Sequence, residues 1–66
     1  MIQCIDLKLE IHRAHIRHLQ QCVAKQLALP IQQRDGESLR FLYTEMKTHE
    51  LVIEELDRLR THAEHA

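Results

Sequence analysis

The sequence predicts an all-α protein: a two-helix antiparallel hairpin, with two copies joining into a four-helix bundle. Three observations predict it. Breaker residues are confined to one short stretch, each flanking segment carries a three–four apolar repeat, and more apolar surface remains than one hairpin can cover. The composition agrees, because Leu, Ile, Gln, Glu, Arg and Ala dominate while Gly and Pro occur once each and Trp is absent.

The first helix is expected over about residues 3–28. Its apolar repeat runs Ile2, Ile5, Leu9, His12, Ile16, Leu19, Val23 and Gln26, a stripe along one side of a helix that only two polar types interrupt. Pro30 disfavours helical geometry at Leu29, and Asp35-Gly36 is a turn dipeptide, so residues 29–36 read as a linker. Asp35 is also a helix-capping residue, with Glu37 well placed in the first turn that follows. The second helix is expected over about 37–63, with the stripe Leu39, Leu42, Met46, His49, Ile53, Leu56, Arg60 and Ala63. A linker this short folds the helices back antiparallel, which sets Leu42 opposite Val23, Met46 opposite Leu19 and Leu56 opposite Leu9. The whole chain, 1–66, reads as this single hairpin.

Charge supports the same pairing. Helix one has four basic and two acidic residues, whereas from Arg34 onward there are five basic and eight acidic. A basic helix beside an acidic one favours the intramolecular pair, although exposed ion pairs contribute only about 0–1 kcal/mol each. The net charge of −1 supplies no general attraction to nucleic acid or to an acidic membrane. No apolar run approaches the eighteen or so residues of a membrane span, so the chain is expected to have no membrane partner.

Sixty-six residues form a small core, and chains of this size gain stability from disulfides, metals or association. Cys4 and Cys22 fall on one helix, about 27 Å apart at 1.5 Å per residue, too far for a disulfide within the chain. Two lone thiols and no signal segment suggest a cytoplasmic protein. Association is therefore the expected source of further stability. Cys4, Leu7, Ile11 and Ala14 form a second stripe on helix one, and Cys22, Leu27 and Leu29 extend its apolar character. Phe41, Leu51, Val52 and Leu59 lie outside the seam on helix two. The expected protein interface comprises Leu7, Ile11, Ala14, Phe41, Leu51, Val52 and Leu59, in contact with a second copy, another protein, or both.

Six histidines are unusual in so short a chain. His12, His15 and His18 recur every three residues and drift around the helix, so all three cannot converge on one point. His62 and His65 lie near the end of the second helix. No zinc-ligand spacing occurs, and neither HExxH nor ExxH is present. His12 and His49 stand apart because both interrupt the apolar seam. They read either as a histidine pair filling the core through a hydrogen bond, or as a metal or haem site formed with a second copy. The first reading is preferred, because no carboxylate is evident to support ligating imidazoles, and no cofactor is expected. Cys4 and Cys22 read as small hydrophobes.

No Gly-rich phosphate loop and no nucleophile in a recognisable setting occur, and a hairpin provides no deep pocket, so the chain is not expected to be an enzyme. Arg13, Arg17 and Lys25 form a basic strip on helix one that, doubled in a dimer, is the alternative surface for RNA or DNA. No aromatic residues interleave with it for base stacking. In length and hairpin outline the chain resembles the plasmid copy-number regulators that dimerise into four-helix bundles and bind paired RNA loops, and equally the small helical co-chaperones of bacterial secretion systems. No motif aligns with either, so no binding residue carries over. The expectation is a non-enzymatic interaction or regulatory module, of the kind found among bacterial and phage accessory proteins.

Overall fold

A computed structural model describes residues 2–65, with Met1, Ala66 and the side chain of Ile2, an expected seam residue, outside the description. Helix α1 spans Ile2–Leu27 and helix α2 spans Gly36–His65. Between them Ile31–Gln33 forms a single 3-10 turn. Among the described residues there is no strand, and the molecule is a helical hairpin of about 54 × 14 × 11 Å.

The end of α1 follows from Pro30. The Ala28 amide still reaches the Ala24 carbonyl at 3.0 Å, after which Leu29 donates to Gln26 in a tighter turn. Pro30 itself is extended at φ −55° and ψ 151°, where its ring can no longer obstruct a helical carbonyl. Its carbonyl then accepts from Gln33 at 2.9 Å and starts the 3-10 turn, which was expected only as irregular linker.

Two side chains tie this connection to α1. Arg34 donates through Nε to the Leu29 carbonyl and through Nη2 to the Leu27 carbonyl, both at 2.9 Å. A cation thus meets the unsatisfied, partly negative end of α1. Gln26, a polar residue in the seam pattern, accepts the Asp35 amide at 3.0 Å through its side-chain oxygen. Its place in the apolar repeat therefore serves the linker.

Asp35 caps α2 as its sequence position predicts. One carboxylate oxygen accepts the amides of Glu37 at 3.1 Å and Ser38 at 3.3 Å, and the other accepts the Ser38 hydroxyl at 2.6 Å.

The antiparallel register appears directly in the contacts between helices. Asp6 meets Arg60 at 3.3 Å, Arg13 meets Asp57 at 3.9 Å, and His12 meets His49 between the two rings. Among the described residues of the seam, Leu9 and Val23 are buried, at 1% and 8% exposure. Ile5, Ile16, Leu19, Leu39, Leu42, Met46, Ile53 and Leu56 are half-buried, and no described residue of α2 is fully enclosed. Two helices provide one layer of contact and leave both edges of that layer open.

The hydrogen bonds from Ser38, hydroxyl first and then amide, hold the Asp35 carboxyl below its ordinary range. A depressed carboxyl contributes stability above its ordinary pKa, and this is lost as pH falls through the folded value. Asp35→Ala is expected to lower the melting temperature by a few degrees at neutral pH, followed by circular dichroism. The gap from the wild type should narrow as pH falls below the ordinary carboxyl range and through the lowered folded value. An unchanged gap in acid would show that the cap does not act through its charge.

Candidate imidazole site and apolar flank

The seam's midpoint is occupied by imidazoles. The Nδ1 atoms of His12 and His49 lie 2.8 Å apart, so one ring donates its Nδ1–H to the lone pair of the other. Their centroids are 5.0 Å apart with the planes tilted by 50°. His15 joins from the next turn of α1, its ring stacked on that of His49 at 5.0 Å and 21°. The carboxylate of Glu45, one turn before His49 on α2, lies 4.0 Å from His49 Nε2, and the His49 side chain is only 16% exposed.

Two parts of this arrangement escape the apolar pattern. His15 is adjacent to the seam rather than in it, and the helical drift of His12, His15 and His18 conceals that α2 brings His49 to meet two of them. Glu45 supplies a carboxylate beside His49 through Glu-x-x-x-His spacing, a one-turn neighbour relation distinct from the Glu-x-x-His pattern of carboxylate-bridged metal sites.

The His12 pKa is lowered, first by burial and then by the positive charge that His49, His15 and Lys8 can bring. With both Nδ1 atoms directed at one another, the His12 and His49 rings are arranged as hydrogen-bond partners. Among the described residues no group of three His, Cys, Asp or Glu side chains is placed to hold a metal ion. Within one hairpin the two rings form a part-buried hydrogen-bonded pair.

The expected interface residues divide by position. Ile11 is one turn from His15, and Val52 is one turn from His49, so both adjoin the imidazole cluster. Phe41 and Leu59 continue the Val52 side of α2, and Cys4 continues the Ile11 side of α1. The ion pair of Arg13 with Asp57 occupies the opposite edge of the hairpin. One edge therefore carries this ion pair, and the other is mainly apolar apart from Lys8 and Glu45 beside the imidazoles. Phe41 is 62% exposed, and Ile11 and Leu59 are about half exposed, whereas Val52 is half-buried. Leu7, Ala14 and Leu51 are exposed on the outer sides of the helices, facing away from the seam.

The basic strip is less continuous than its charges suggest. Arg13 is engaged by Glu10 at 3.4 Å and by Asp57 at 3.9 Å. Arg17 and Lys25 are exposed, but eight residues of helix set them about 80° apart around its axis. Cys4 is a free, exposed thiol, and Cys22 is half-buried with its sulfur 3.8 Å from His18 Nε2. Among the described residues no helix is long and apolar enough to cross a membrane.

No protein-family model matches the sequence, and no curated protein or solved structure is significantly similar to it.

The bonded imidazoles give a measurable pair energy. In a double-mutant cycle of His12→Ala and His49→Ala at pH 8, urea unfolding should return a coupling of about 0.5–1.5 kcal/mol. Each single change should cost more than the coupling alone, because it also leaves a half-buried ring nitrogen unpaired. Strict additivity would mean that the bond contributes nothing to stability.

Proposed function

We propose that this chain is a non-enzymatic interaction module: two hairpins pair into a four-helix bundle, which docks on a partner protein and modulates it. The observation that carries this reading is the amount of surface left open. The chain exposes 5249 Å², whereas a compact monomer of its 7.9 kDa exposes about 4,400 Å². The excess is close to the roughly 800 Å² that one partner contributes to a standard stable interface.

Position and charge favour a second copy on the apolar edge. Cys4, Ile11, Phe41, Val52 and Leu59 follow the length of that edge. Helix α1 carries a net charge of +2 and α2 of −3. A two-fold arrangement that lays α1 of one copy against α2 of the other therefore pairs opposite charges around an apolar centre. Leu7, Ala14 and Leu51 remain on the outer surfaces for a partner protein. Among the described residues, side chains with lowered pKa are His12 in the seam and Asp35 at the cap, both already engaged structurally.

Light scattering after gel filtration is expected to return twice the chain mass for the wild type. Ile11→Asp combined with Leu59→Asp should return the single-chain mass, with helicity retained in part because both side chains already face solvent. Leu51→Asp should leave the mass doubled and abolish capture of the partner in pull-downs. A wild type that remains monomeric at high protein concentration would refute the proposal.

A further inference from the structure

We propose that the His12–His49–His15 cluster is a proton-operated latch, closed while at least one of the bonded rings is neutral and released when both are protonated. The bond between the Nδ1 atoms fixes this behaviour. A neutral imidazole has one N–H and one lone pair, so two neutral rings, or one neutral and one protonated ring, make the 2.8 Å bond. Two imidazolium rings have no lone pair to offer, and the bond becomes a close contact between two N–H groups and two positive charges.

The surroundings sharpen the response. From α1, His15 stacks on His49, and Lys8 lies one turn before His12 and opposes a charge there. From α2, Glu45 at 4.0 Å from His49 Nε2 is, among the described residues, the one carboxylate that reaches these rings. One carboxylate faces three imidazoles and a lysine. Burial, reinforced by the positive charge of His49, His15 and Lys8, accordingly holds the His12 pKa below its ordinary 6.5.

The sign follows from linkage. The unfolded chain takes up protons at the ordinary histidine pKa, whereas the folded seam excludes at least one of them. Stability is complete above about pH 6.5 and is lost as pH falls toward the folded value. Each excluded proton lowers the folding equilibrium constant by up to tenfold per pH unit in that window. Carboxylates titrate mainly below it, so the response belongs to histidine. The cluster joins α1 to α2 within one chain, and the latch does not depend on the pairing proposed above.

The test is urea unfolding of the full chain at fixed ionic strength between pH 8 and 5.5, with light scattering at each pH. The expected result is a flat region above about pH 7, then a fall of up to about fivefold in the folding constant between pH 6.5 and 5.5 for one excluded proton. His12→Leu with His49→Leu should flatten the curve. His62→Gln with His65→Gln should leave it as in the wild type. A wild-type change under about twofold over the whole range, or a leucine pair that keeps the wild-type slope, would overturn the latch. Should the leucine pair alter the fold, imidazole nitrogen spectra of the wild type decide instead. A shared Nδ1–H between two rings that is lost on acidification supports the latch, and two independently titrating rings refute it. A chain that is monomeric throughout would refute the pairing and leave the proton response intact.

Discussion

A pair of antiparallel helices shields only the stripe along which each touches the other, and the remaining properties of this molecule follow from that limit. Among the described residues, full burial reaches two side chains, Leu9 and Val23, while the other described apolar seam residues stay half open. Hydrophobic stabilisation scales with area removed from water, so the hairpin obtains little from residues that in a larger fold would be enclosed. Exposed residues beside the seam, such as Ile11 and Leu59, are separated from coverage by one further helix layer.

The connection between helices is constructed with more polar detail than the core. Arg34 closes the carbonyl end of α1, Gln26 holds the Asp35 amide, and Asp35 in turn satisfies the first amides of α2. These contacts fix the reversal at one end of a long ribbon. The far end has a different fastening, in which Arg60 bonds both Asp6 and Glu64 at 3.3 Å. Between them the imidazoles hold the middle. Together with the Arg13–Asp57 pair, these polar fastenings define register along a thin apolar seam without adding much buried area.

The two helices were legible in the sequence because their signals are local. Pro30 and Asp35-Gly36 mark the interruption, and the expected bounds of 3–28 and 37–63 fall within two residues of Ile2–Leu27 and Gly36–His65. The 3-10 turn was not legible, since Ile31-Gln32-Gln33 carries no distinctive propensity and is held by Pro30 and Arg34 on either side. Of the imidazole site, His12 and His49 stood out as breaks in an apolar repeat. His15 did not, because its role arises from a ring on the other helix, and a single helix cannot reveal where that ring falls. Glu45 was hidden for a related reason. Its one-turn spacing from His49 is common on helices, and only the burial of that ring gives it meaning.

Marginal stability and the composition of the seam are linked. In a large core, one excluded proton is a small perturbation, because tens of apolar side chains maintain the fold. Here the same event acts on a hairpin with two enclosed core residues among those described, and at the midpoint rather than near either end. The position also matters for the open edge. His15 links the seam to Ile11, and His49 links it to Val52, so the rings that respond to protons support the apolar flank from beneath. A leucine pair in the seam would be more stabilising by area alone. The histidines exchange part of that stabilisation for a contact whose strength depends on the solution, at a point in the fold that adjoins the exposed apolar flank.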